Sequence, residues 1–414
     1  MMEQDWREER NRLAAQPLTI IGRANWRGRG RPFGIRAPDR LAHMYVVGKT
    51  GAGKSTLLET MIRQDLLAGS GLALFDPHGD LAERIVAWMP ESRKEDLVYL
   101  NVPDPKQPFG FNPLAGVPPL RRSVAANGIV EALKKIFADS WGIRLEYILR
   151  NALLLLLDQP QATIADALRL FQEPDFRKEA AANATNAQVR RFWTIEFENY
   201  PGRFRAEAIS PIENKLGSFL VDPFVSRILT ATTSTFDPRD LMDRGKVLIV
   251  NLAKGKIGEA PAMLFGGLLV SSLGLAGLSR SELPQEERSD FYLYLDEFQT
   301  FTTLALANML AELRKYGVGL VLANQFLDQI PPEVRSAALG NIGTLVVFRV
   351  GAVDAARLAK ELGAPAGVED LTLLPNRNFW IRTLVGGEAW PAFTGETIQL
   401  RPLRVGGDES SPGL

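Results

Sequence analysis

Gly48-Lys49-Thr50-Gly51-Ala52-Gly53-Lys54-Ser55 completes the pattern G-x-x-x-x-G-K-[ST], and Thr56 follows it. A glycine-rich turn of this kind lets consecutive backbone N–H groups point inward at phosphate oxygens, while a helix beginning near Gly53 aims its positive dipole end at them. Lys54 is placed to bridge β- and γ-phosphates, and the Ser55 hydroxyl to hold Mg²⁺. The chemistry implied is binding of a nucleoside triphosphate, ATP being the expected one, together with Mg²⁺.

A second group of residues suits hydrolysis. Phe291 to Leu295 is an apolar run ending in Asp296-Glu297. Because a strand alternates its side chains, the two acids are expected to serve different ends. Asp296 would hold the Mg²⁺ hydration shell, and Glu297 would face the γ-phosphate and polarise the attacking water. The next apolar run, Leu320 to Ala323, ends in Asn324-Gln325, which puts Gln325 beside the acids at the carboxyl edge of the sheet, where it could report the γ-phosphate. Between the runs lies a helical stretch from Leu304 to Tyr316, with Arg314-Lys315 at its end, where cations also oppose the helix dipole.

The elements around these residues read as an α/β domain. Short aliphatic runs at Tyr45 to Val47, Leu72 to Phe75 and Leu97 to Leu100 alternate with helical stretches, the rhythm of a parallel sheet. Strands return at Val247 to Val250, Phe291 to Leu295, Gly319 to Ala323 and Thr344 to Phe348. Between Pro119 and Phe236 the periodicity is helical only, with Leu145, Ile148, Leu149, Ala152, Leu153, Leu156 and Leu157 on one face. The expected organisation is a basic N-terminal arm (1–40), a first ATPase part (41–118), an all-α insertion (119–236), a second ATPase part (237–400) and a disordered tail (401–414). Ala262 to Leu278 approaches membrane-spanning length but holds four glycines and two serines, so a core helix is expected there.

Composition narrows the partners. The 414 residues carry 48 Lys plus Arg and 48 Asp plus Glu, so attraction to nucleic acid must come from local patches. With no cysteine and two histidines, disulfides and thiolate zinc sites are excluded. Arg23, Arg27, Arg29, Arg31, Arg36 and Arg40 face one acid, Asp39, with Trp26 and Phe33 interleaved. That run suits either phosphate contact with base stacking or an intersubunit strap. Arg190-Arg191-Phe192-Trp193 and Tyr200 to Arg205 repeat the mixture inside the insertion, and Lys254 and Lys256 sit on a loop after a strand, where they line a pore or are simply solvated.

Taken in order, GKTGAGKST, FDPHGDL (75–81), FNPL (111–114), SWGIRLEYILRNALL (140–154), YLDEFQTF (294–301), ELRKYG (312–317), LANQ (322–325) and FRVG (348–351) resemble the TraG/TraD coupling ATPases of type IV secretion. They also touch the wider FtsK/HerA group of hexameric DNA pumps. The resemblance implies a RecA-like ATPase that assembles as a ring, with ATP at subunit boundaries and DNA through the centre. In that family an arginine eleven residues before the strand-end glutamine enters the neighbour's active site. Arg314 stands at that distance from Gln325, and Arg349 is the second candidate. Implied partners are copies of the chain itself, DNA, a relaxase, and a membrane channel or anchor. The expected location is cytoplasmic, with peripheral attachment at the inner membrane through partners. Readings left open are a channel ATPase that handles protein or powers assembly, a HerA-like DNA-processing motor, and a nucleotide-gated docking scaffold. Coupling proteins usually carry membrane-spanning helices ahead of the loop, and none is expected in the residues before Gly48.

Overall fold

The computed structural model describes residues 18–25, 30–107, 109–363 and 366–398. Its frame is one eleven-stranded sheet. In chain order the strands are β1 (Leu18–Ala24), β2 (Arg31–Arg36), β3 (Met44–Val47), β4 (Gly71–Asp76), β5 (Leu97–Asn101), β6 (Val247–Asn251), β7 (Phe291–Leu295), β8 (Val318–Asn324), β9 (Thr344–Val347), β10 (Asn378–Val385) and β11 (Glu388–Glu396). Across the sheet the order is β2-β1-β11-β10-β9-β3-β8-β7-β4-β6-β5. Every pairing from β9 to β5 is parallel, and β10, β11, β1 and β2 extend the β9 side as antiparallel strands.

Apart from the half-buried edge strand β5, the parallel strands are buried throughout, as expected of a sheet covered on both faces. Alternation along β3 divides them between two cores. Tyr45 and Val47 join the core shared with the insertion and the helix Glu259–Ser279, whereas Met44 and Val46 join the core under the helices Lys54–Leu67 and Asp80–Trp88.

Glu259–Ser279 contains the long apolar stretch, and it has the length and composition of a membrane span. Here it packs within the protein. A Cβ on Gly266 would lie 2.1 Å from the Phe301 ring, so the glycine is what permits this approach. Between β5 and β6 the regular elements of the described residues are all helical, and they enclose an aromatic cluster of Phe171, Phe192, Trp193, Phe197 and Tyr200. Phe192 and Trp193 are buried, so the aromatics of the Arg190–Trp193 run are core residues unavailable for base stacking.

The basic N-terminal run is corrected in the same way. Where it is described it forms β1 and β2, strands that sequence periodicity missed because their side chains are half polar. β1 pairs with β11 and β2, so the segment is sheet and not a free arm. Phe33 stacks edge-on to Phe393 at 4.9 Å between centroids, and Arg40 is buried in an ion pair with Asp65. Arg23 and Arg31 remain exposed at this end of the sheet, whereas Arg27 and Arg29 lie outside the described residues.

Candidate nucleotide site

β3 runs straight into the phosphate loop, whose backbone is pinned from three sides. Gly48 N–H donates to the Asn324 carbonyl at the end of β8 (3.2 Å), and Lys49 N–H to the Arg349 carbonyl beyond β9 (2.8 Å). The Ala52 carbonyl accepts from Arg377 N–H (2.7 Å). Gly53 has φ 123°, a conformation that L side chains rarely adopt, and a Cβ there would lie 2.9 Å from the Phe348 ring. Gly53 is also the residue preceding the helix Lys54–Leu67, and no side chain caps that helix. Its first amides are therefore left to an anion. Ser55 and Thr56 lie half-buried on the first turn.

Lys54 is buried, and its Nζ donates to the Gly48 carbonyl at 2.6 Å and the Lys49 carbonyl at 3.4 Å. Burial pulls its pKa below the usual lysine value, while Glu297 and Asp296 push it back up. The lysine thus curls over the loop, with the acids close enough to be felt.

Both acids are buried, and their separation comes from a different cause than strand alternation. β7 ends at Leu295, Asp296 N–H continues the sheet by donating to the Phe75 carbonyl (3.1 Å), and Glu297 turns the chain into the left-handed region at φ 45°. This turn sets where the Glu297 carboxyl goes, while the Asp296 carboxylate accepts from Glu297 N–H at 3.1 Å. Glu297 then accepts from two amides, Gln325 Nε2 on Oε1 at 3.1 Å and Gln299 Nε2 on Oε2 at 2.7 Å. Asp296 is pushed up to about 7, first by burial and then by Asp76 and Glu297, with Lys54 pulling down.

Asp76 had no assigned role, although it ends β4 within FDPHGDL. Its carboxylate accepts from the backbone N–H of His78 (2.8 Å) and Ala82 (3.0 Å), capping the turn into the helix Asp80–Trp88. The available signal was its position, a buried strand ending in an acid one strand away from Asp296. Three carboxyls with one lysine make a local excess of hard oxygen donors. With the Ser55 hydroxyl nearby, that donor set fits Mg²⁺ completed by phosphate and water. Among the described residues no three His, Asp or Glu side chains form an all-protein metal cage. Beside the loop, Lys49, Thr50, Gln325, Phe326 and Gly351 to Asp354 line a cleft of about 610 Å³, within the range of small-molecule sites.

Lys54, Asp296, Glu297 and Gln325 therefore converge, whereas Arg314 does not join them. It is exposed on the tight turn Leu313–Tyr316 before β8, at the amino end of a strand whose carboxyl end meets the site. Seven residues of strand put it roughly 20 Å from its own loop. Arg349 is the reverse case, since its carbonyl holds this chain's own loop and its guanidinium donates to Asn376 Oδ1 at 2.9 Å. Lys254 and Lys256 form a short helix, Lys254–Ile257, instead of an open loop. It follows β6 after Ala253 at φ 32°, and Lys256 is exposed.

A profile of the helicase HerA central domain matches residues 21–260, more than half of the chain. Those residues include the phosphate loop and Asp76 but stop before Asp296, Glu297 and Gln325. The bacterial conjugative coupling protein TrwBdeltaN70 superposes with a TM-score of 0.62 at 17% identity, covering 93% of this chain and 88% of its own. TrwB in complex with ADP and Mg²⁺ gives 0.61 at 17% identity, over 94% of this chain and 92% of its own. VirB4 of Thermoanaerobacter pseudethanolicus gives 0.61 at 13% identity, over 92% and 96%. At these identities the likeness shows the fold, a RecA-like nucleotide-binding sheet with inserted helices. No curated protein matches the chain.

Proposed function

This chain belongs to the HerA helicase central-domain family, and from that premise we propose that it is an ATP-driven motor that moves DNA, assembled as a ring in a conjugation or type IV secretion-like system. The single observation that carries the reading is the convergence of Lys54, Asp296, Glu297 and Gln325 at the ends of three adjacent parallel strands. A switch that only binds nucleotide has no use for a second buried carboxylate beside the phosphate-binding lysine.

In this reading the amides from Gly51 to Thr56 bind the phosphates, and Lys54 exchanges its hold on the Gly48 carbonyl for the β- and γ-phosphates. Ser55 and Asp296 would hold Mg²⁺, which when bound neutralises charge developing on the phosphates. Glu297 takes a proton from the attacking water. Gln325, already bonded to Glu297, is placed to register whether the γ-phosphate is there. Arg314 faces away from its own site and would serve a neighbour's, which is the reason to propose a ring. Arg349 is proposed to stay with its own loop. DNA contact is assigned to exposed Arg23, Arg31 and Lys256 with Lys254, and to Arg27 and Arg29. A relaxase and a membrane channel or anchor are the proposed partners, at the cytoplasmic side of the inner membrane. The comparable likeness to VirB4 and to TrwB supports one rival, a channel ATPase that handles protein.

One experiment separates these readings. ATP hydrolysis per chain is measured against protein concentration, with and without single- or double-stranded DNA, at several salt concentrations. The motor predicts a rate per chain that rises with concentration and a DNA stimulation that weakens as salt rises. Arg23→Ala with Arg31→Ala should flatten the salt slope by up to about 0.9 unit per lost duplex contact. A DNA-indifferent rate would favour the protein-handling channel. A rate per chain independent of concentration, with full activity in Arg314→Ala, would remove the neighbour-completed site.

A further inference from the structure

Glu297 is engaged on both of its oxygens, and the two partners have different origins. Gln325 reaches it from β8, the strand next to the phosphate loop. Gln299 reaches it from the short turn Phe298–Thr300, whose Phe298 ring packs edge-on to Tyr45 of β3 at 5.7 Å between centroids. A carboxylate that must accept a proton from water needs an unencumbered lone pair facing that water. Held by an amide on each oxygen, the carboxylate keeps spare lone pairs but cannot rotate to aim one at the water.

Gln299 is itself held. Its backbone carbonyl accepts a hydrogen bond from Lys135 Nζ. Lys135 belongs to Arg122–Ile136, the first long helix of the insertion, which docks on Glu259–Ser279 closely enough that a Cβ on Gly267 would stand 3.3 Å from that of Ala132. Burial pushes the Lys135 pKa down to about 7, so its charge is kept at a cost, with this carbonyl as its hydrogen-bond acceptor. The amide of Gln299 is only half used. Nε2 must face the carboxylate, because Oε1 there would set oxygen against oxygen, and Oε1 is left buried without a partner among the described residues. A half-satisfied buried amide is a poor stabilising device. It suits a contact that is made in one state and released in another.

We propose that Gln299 clamps Glu297 in a resting orientation and that Lys135 ties this clamp to the all-α insertion, so that movement of the insertion's first helix sets the rate of hydrolysis. Both are positioning residues. The inference rests on reading Glu297 as the water-activating carboxylate, and it adds regulation to that site.

The test is steady-state ATP hydrolysis without DNA, with kcat and KM separated and thermal unfolding recorded, for the wild type, Glu297→Gln, Gln299→Ala, Gln299→Asn, Lys135→Met, Lys135→Arg and the Gln299→Ala/Lys135→Met double variant. Gln299→Ala should raise kcat several-fold with KM for ATP unchanged. Gln299→Asn, one methylene too short to reach, should do the same. Lys135→Met should raise kcat by less, Lys135→Arg should restore the wild-type rate, and the double variant should match Gln299→Ala, because the lysine acts only through the glutamine. A kcat unchanged or lowered in folded Gln299→Ala, or additive effects in the double variant, would overturn the clamp. Near-normal hydrolysis in Glu297→Gln would instead overturn the assignment of Glu297, so the two failures are distinguishable.

Discussion

Two buried clusters of charge share β7, two residues apart and on opposite terms. At Tyr294 the strand meets Arg40 and Asp65. The terminal nitrogens of Arg40 donate to Thr19 Oγ1 (2.7 Å), both Asp65 oxygens (2.6 and 2.8 Å) and Tyr294 Oη (2.8 Å), and its guanidinium lies 3.6 Å from the centre of the Tyr292 ring. One cation meets one anion there. Beyond the end of β7, Asp296 and Glu297 act on the single ammonium of Lys54 while Asp76 crowds Asp296, so that three carboxyls share one cation. A balanced buried cluster holds elements together, in this case β1, the end of the phosphate-loop helix and β7. An unbalanced one is a demand for something that is not protein, and its cost is carried by the rest of the fold.

That contrast can be broken most decisively at Glu297. Glu297→Gln should lower turnover by about 10² to 10⁴ while ATP binding and the unfolding temperature persist, as read by hydrolysis assays, nucleotide titration and thermal melts. A loss of folding in step with activity would mean that this cluster is structural after all. Asp65→Ala tests the other side. Leaving Arg40 buried without its partner should cost about 3 to 5 kcal/mol in urea unfolding, with nucleotide affinity retained in the molecules that remain folded. A cost near zero would make the pair as dispensable as a surface bridge.

His43 supplies an intermediate case, a buried group made neutral. Leu320 N–H donates to Nδ1 (3.0 Å) and Nε2 faces the Leu310 carbonyl (3.1 Å), so the ring is held as the Nε2–H tautomer. Burial lowers its pKa from 6.5 to about 4. The unfolded chain therefore binds this proton first, and stability present above pH 6.5 should fall as pH drops toward 4, by roughly 3 kcal/mol in all. Urea midpoints measured across that range check it, and His43→Gln should flatten the dependence. The smallest effect on stability is expected from Asp296→Asn, which removes one carboxyl from the crowded cluster. It should raise nucleotide-free stability by about 0.5 to 2 kcal/mol while removing activity. A decrease would mean that the crowding is already relieved by contacts not accounted for.

What could be read from the sequence differed according to how local its cause was. The phosphate loop is a run of adjacent residues whose backbone demands are met within the run, and the acids and Gln325 each end an unmistakably apolar strand. β1, β2, β10 and β11 were invisible because antiparallel strands at one end of a sheet mix polar and apolar side chains, and nothing in their own residues names a partner. Arg40 looked like one more arginine in a basic run, since only the fold brings Asp65 to it. Gln299 and Lys135 are 164 residues apart, and no spacing rule connects them.

The order of the strands also bears on how the protein is made. β3 emerges early from synthesis, yet its two neighbours are β8 and β9, and the Tyr45 hydroxyl waits for Asn324, 279 residues further on. At about 5 to 20 residues per second, the phosphate loop has no sheet behind it for roughly 14 to 56 seconds after its own residues are joined. A chain stalled before β8 would carry the whole loop sequence and still offer ATP no shaped place to bind, so nucleotide can stabilise the finished molecule but cannot guide its early folding.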